Sequence, residues 1–146
     1  MIAPGGAILL YDGTCGLCAR TVGFVLANEG VRRSLRFARL EGPIGRRLIG
    51  MRPDITVDSV VWHEAAHGSQ PARTLVRSAA ALAVLRYLGG PWSALAALLY
   101  AVPRFARDAG YDFVARHRHK LTGLACVIPG ANERARFLDP DPFPVP

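Results

Sequence analysis

With 146 residues and 51% hydrophobic side chains, the chain suits one domain with an ordinary core and is too apolar to stay disordered. Its net charge of +7 rests on eighteen basic residues, all arginine except Lys120, and favours acidic partners, anionic thiols or a membrane surface without choosing among them. Three cysteines, an odd number, argue against a secreted disulfide scaffold and leave redox chemistry or metal binding as the uses of a close pair.

Met1–Gly6 holds no basic residue, and the apolar run Ala7–Tyr11 is too short for a secretory core. No signal peptide is expected, and a cytoplasmic location is the default. The longest apolar region, Ala79–Val102, is broken by Arg86 and by Gly89-Gly90-Pro91. Neither half reaches the ~20 residues that span a bilayer, so no transmembrane segment is expected.

Ala7–Tyr11 reads as a strand buried on both faces. Asp12-Gly13-Thr14 is turn chemistry, with Thr14 the N-cap of a helix over about 15–28. In that helix Cys18, Val22, Val25 and Leu26 form one apolar stripe, and Asn28-Glu29-Gly30 ends it. Leu35–Ala38 reads as a second strand, and the arginines at 32, 33, 36 and 39 suit an edge. A short helix follows near Pro43–Met51. Ser59–Trp62 is the third strand, Ala65–Gln70 a turn, and Ala72–Leu75 a returning fourth strand behind Pro71.

Ser78 is then expected to cap an apolar helix running to about Leu88, which Gly89-Gly90-Pro91 stops. Further helices are expected over Trp92–Tyr100 and Pro103–His119, before an extended tail that holds Cys126 and ends in Pro140, Pro142, Pro144 and Pro146. The order is β-α-β-α-β-β-α, a mixed sheet with helices on its faces and extra C-terminal helices. It forms a single domain, with a core over about 7–90, a helical extension over about 91–120 and a tail over 121–146.

Cys15-Gly16-Leu17-Cys18 is a C-x-x-C pair between the first strand and its helix. If Thr14 caps the helix, Cys15 lies in its first turn, where unpaired N–H groups and the macrodipole stabilise a thiolate. A free thiol of pKa ~8.5 is only a few per cent ionised at neutral pH, and pairs of this kind are brought to ~7 or below. Cys18 falls on the buried stripe, where desolvation keeps it protonated. Cys15 is therefore the expected nucleophile and Cys18 the resolving thiol. The competing reading is a zinc module using Cys15, Cys18 and Cys126, with His63, His67, His117 or His119 as the fourth ligand. No second C-x-x-C supports it, and a buried strand followed by an apolar helix is not a zinc knuckle.

The segment Tyr11-Asp12-Gly13-Thr14-Cys15-Gly16-Leu17-Cys18 resembles the signature of the DCC family of predicted thiol–disulfide oxidoreductases. The resemblance continues through Leu35–Ala38, Asp58–Val61, Arg77–Ala80, Gly89–Trp92, Val102–Arg104, Tyr111-Asp112 and Cys126, from Ile8 to about Leu138. It implies a thioredoxin-like fold and disulfide exchange with a protein or low-molecular-weight thiol, with glutathione or a thioredoxin-type protein as electron donor and no other cofactor. Thioredoxins and glutaredoxins place a cis-proline just before the third strand, whereas here that place falls at Asp58-Ser59 and holds no proline.

Asp12 has two readings. It is a turn residue bonding backbone N–H groups, or the proton acceptor for Cys18 during resolution. Thr14, Gly16, Leu17, Asp58, Ser59, Arg77 and Ser78 are the candidate substrate contacts. Among them, Arg77 and Ser78 open a helix N-terminus that has the geometry of an anion site, where glutaredoxin-like proteins hold a glutathione carboxylate. Arg116–Lys120 is a basic run that reads first as a solvated helix end and second as a membrane- or phosphate-binding patch. No helix-turn-helix or RNP motif supports nucleic acid.

Overall fold

The computed structural model describes residues 6–12, 16–30, 34–50, 60–121 and 134–138, and within these the side chains of all but 16–19, 115 and 118–121. Ala7–Tyr11 forms β1, and Gly16–Asn28 forms α1. Arg36–Arg39 is β2, Pro43–Gly50 is α2, Val61–Glu64 is β3 and Arg73–Val76 is β4. Three helices follow: α3 over Arg77–Leu88, α4 over Gly90–Tyr100 and α5 over Arg104–Leu121.

The sheet order is β2-β1-β3-β4. β1 runs parallel to β2 and antiparallel to β3, which pairs antiparallel with β4. The parallel pair needs a crossover, which α1 supplies, whereas β3 and β4 join through a tight hairpin closed by His67 and Gln70. The sheet's two faces account for the continuous apolar run of β1. Leu9 and Tyr11 pack with Phe37 and Trp62 under Val22 and Val25 of α1 and Ala80, Ala83 and Val84 of α3. Ile8 and Leu10 pack with Ala38 and Val61 against Ile44, Leu48 and Ile49 of α2. Helices on both faces leave no side of β1 for polar residues.

Chain reversals are tight. Gly45 lies so close to the end of β2 that a Cβ there would stand 2.2 Å from the Arg39 carbonyl oxygen. No other residue fits without moving α2. The break between α3 and α4 takes positive φ at both Gly89 and Gly90, which is why the sequence changes helix there without a loop.

Two expectations change. Ser78 does not cap α3, because the helix begins at Arg77, the capping position falls to Val76, and no side chain caps it. β4 runs directly into α3, so Arg77 absorbs the turn itself at φ 55. That conformation is uncommon without glycine and costs on the order of 1 kcal/mol. The outer edge of β2 is also not left to its arginines. Residues 136–138 lie along it, with the Phe37 N–H donating to the Arg136 carbonyl and the Leu138 N–H to the Phe37 carbonyl, each at 2.9 Å. The Phe137 ring stacks on Phe37 at 5.1 Å and meets Tyr11 edge-on. Part of the expected tail is thus a short edge partner of the sheet.

Candidate functional site

The carboxyl end of β1, the start of β3 and the end of β4 lie at one end of the sheet. Leu10 pairs with Val61, and Val61 pairs with Val76. Tyr11 ends β1, the half-buried Asp12 follows it, and α1 has begun by Gly16, so Cys18 lies in the first turn of α1. Arg77 and Ser78 open α3 at the same end. Gly13, Thr14, Cys15, Asp58, Ser59 and Cys126 lie outside the described residues, as do the side chains of Leu17 and Cys18, while Gly16 opens α1. Of the expected site residues, the fold therefore brings Asp12, the Cys18 backbone, Arg77 and Ser78 to one end of one sheet.

α5 crosses this end with a polar face. Tyr111 accepts a hydrogen bond from the Val60 N–H at 3.3 Å, on the residue that follows Asp58-Ser59. Ser78, buried, donates its hydroxyl to Asp108, and its backbone N–H bonds the same carboxylate. Arg104 lies 3.6 Å from Asp108, and Arg77 lies 3.8 Å from Asp112. The hydrogen bond from Ser78, aided by Arg104 and Arg77, holds the Asp108 carboxyl below the usual aspartate range. The start of α3 is an anion site, as its helix geometry implies, but its anion is the protein's own.

Asp108, Tyr111 and Asp112 were not among the residues expected from the sequence. Their signal was present in the spacing. Arg104, Asp108, Tyr111 and Asp112 recur at three- and four-residue steps and make one polar stripe along the helix.

A second pattern also escaped the sequence reading. His63-Glu64-Ala65-Ala66-His67 spells H-E-x-x-H, a zinc motif when it lies on a helix. Here His63 and Glu64 lie on β3, where neighbouring side chains point to opposite faces, and His67 lies in the hairpin turn. The His63 Nδ1 meets the Thr74 hydroxyl at 3.0 Å, and burial pushes its pKa down. Glu64 accepts hydrogen bonds from Arg73 at 2.7 Å and from the Trp62 indole at 2.9 Å. Burial works against its charge, but those two bonds prevail and hold its pKa below the ordinary value. The motif is a set of cross-strand contacts between β3 and β4. Among the described residues, no group of three or more His, Cys, Asp or Glu side chains is disposed to hold a metal ion.

A strand–helix–strand half followed by a hairpin–helix half, with sheet order β2-β1-β3-β4, defines a thioredoxin-like α/β protein. Residues 9–124 match the DCC1-like thiol-disulfide oxidoreductase family. The chain belongs to that family. It is 34% identical over 137 residues to YuxK of Bacillus subtilis, named as an uncharacterised protein, covering 90% of this chain and 93% of that one. It is 35% identical over 119 residues to a chloroplastic DCC family protein of Arabidopsis thaliana, covering 80% of this chain and 64% of the plant protein. No solved structure matches significantly.

Proposed function

We propose that the protein exchanges disulfides through Cys15 and Cys18. The observation that carries this reading is the position of the C-x-x-C pair, between the buried strand β1 and the first turn of α1. The Cys15 thiolate attacks one sulfur of a substrate disulfide and displaces the other as a thiolate, leaving a mixed disulfide. Cys18 gives up its proton, with Asp12 as acceptor, and attacks the Cys15 sulfur. The second substrate thiol leaves, the substrate is reduced by two electrons, and the protein holds the 15–18 disulfide. A thiol donor, glutathione or a thioredoxin-type dithiol, returns the pair to the reduced form in a cytoplasmic setting.

Arg77 and the Asp58-Ser59 segment are the proposed substrate contacts beside the pair. The start of α3 offers little to a glutathione carboxylate, because Asp108 already takes the Ser78 hydroxyl and N–H. The reading therefore favours a protein disulfide as the substrate over glutathione mixed disulfides.

Peptide mapping of oxidised protein tests the reading. The expected product is the 15–18 link, reversed by dithiol. Free thiols only, or links confined to Cys126, would overturn it. Metal analysis of the same sample separates the zinc module, which predicts stoichiometric metal and loss of fold on chelation.

A further inference from the structure

The amphipathicity of α5 is reversed. Four of its polar residues face inward: Arg107 lies over the Tyr100 ring, Asp108 binds Ser78, Tyr111 binds Val60 and Asp112 faces Arg77. Its outward positions are Phe105, Ala106, Ala109, Gly110, Phe113 and Val114, two parallel rows at four-residue steps. Phe105 is 78% exposed and Phe113 is 62% exposed. The neighbouring helix α4 carries no charged residue, and its Leu98 is 71% exposed. A single exposed leucine needs no explanation, but a helix that turns both its acids toward the rest of the fold and presents phenylalanines to water does.

Charge selects what covers this surface. Both acids of α5 turn inward, onto Ser78, Arg104 and Arg77, while Arg104 and Arg116 are exposed on the same helix. The helix sequence continues into Arg118 and Lys120, and the whole chain carries +7. A second copy would bring like charge against like charge. An anionic bilayer surface supplies apolar depth for the rings and phosphates for the arginines. We infer that α4 and α5 form a docking surface for anionic membranes, on which the protein lies without spanning. Among the described residues, no helix is long and apolar enough to cross a bilayer.

This inference is independent of the thiol chemistry and is tested on Cys15→Ser protein alongside the unaltered chain. Both are sedimented with vesicles of pure phosphatidylcholine and with vesicles that also contain phosphatidylglycerol. Binding is expected only to the anionic vesicles and is expected to fall as salt is raised. Phe105→Ser and Phe113→Ser, at exposed positions that leave the fold intact, should each weaken binding about tenfold. The inference is overturned by three results: no binding to either vesicle, binding that ignores both salt and the phenylalanines, or a stable dimer in solution that shields Phe105 and Phe113 from labelling.

Discussion

The two ends of the sheet are held by different physics. At the end remote from the cysteines, Glu29 and Arg136 are buried together. Arg136 donates to both Glu29 oxygens, at 2.7 Å for the second, and to the Leu35 carbonyl at 2.9 and 3.0 Å. Tyr87 donates to Glu29 and accepts from the Leu35 N–H. At the cysteine end, among the described residues, α5 contributes two hydrogen bonds from Ser78 to Asp108, one from Val60 to Tyr111, and long, partly exposed ion pairs. One end is closed by a saturated buried network, and the other by contacts worth little individually. Under the proposed disulfide exchange, another chain's sulfur has to be admitted at one place only, and the C-x-x-C pair lies at the looser end.

Four experiments test that contrast. The largest effect is expected at the open end: Cys15→Ser should abolish reduction of a model disulfide while leaving the urea midpoint almost unchanged. A substantial residual rate would move the nucleophile elsewhere. At the closed end, Arg136→Ala strands a buried carboxylate and should cost about 3–5 kcal/mol of stability in equilibrium unfolding. If it unfolded no more easily than Ser78→Ala, the two ends would not differ in the way described.

Asp12→Asn separates chemistry from turn geometry. If Asp12 accepts the Cys18 proton, the mixed disulfide should accumulate and resolve ~10²-fold more slowly, with the first attack spared. Stopped-flow trapping would show it, and a normal resolution rate would return Asp12 to the turn.

The smallest effect concerns Ser78→Ala, expected to cost about 1 kcal/mol. The same variant should blunt an acid transition. Because the folded state depresses the Asp108 pKa, its contribution is complete above the unfolded value and is lost as pH falls below about 4. Unfolding midpoints across that range, for both proteins, provide the check.

Much of the fold is legible in local pattern. The unbroken apolar run of β1, the β-branched start of β3 and the Gly89-Gly90-Pro91 break each state their structure within a few residues. Boundaries shifted by one or two positions, as at β3, which begins at Val61. What stayed hidden is long-range. Ser78 looks like a cap because Ser is a good cap, and only the arrival of Asp108, thirty residues on, gives its hydroxyl another partner. The edge partner at 136–138 was concealed by its distance from Phe37. The C-x-x-C spacing was legible in the sequence, whereas the polar face of α5 required knowing which side of the helix meets the sheet.

The pairing of Glu29 with Arg136 spans 107 positions of sequence. A chain emerging from the ribosome makes β1, α1 and β2 long before the arginine that neutralises Glu29 exists. Until residues 136–138 arrive, Glu29 lacks its counter-ion, and the outer edge of β2 offers free backbone groups to any neighbouring strand. The step that protects this edge of the sheet therefore waits on a segment made long after β2. A tag or truncation that disturbs those few residues should show its effect first as aggregation of newly made protein rather than as lost catalysis.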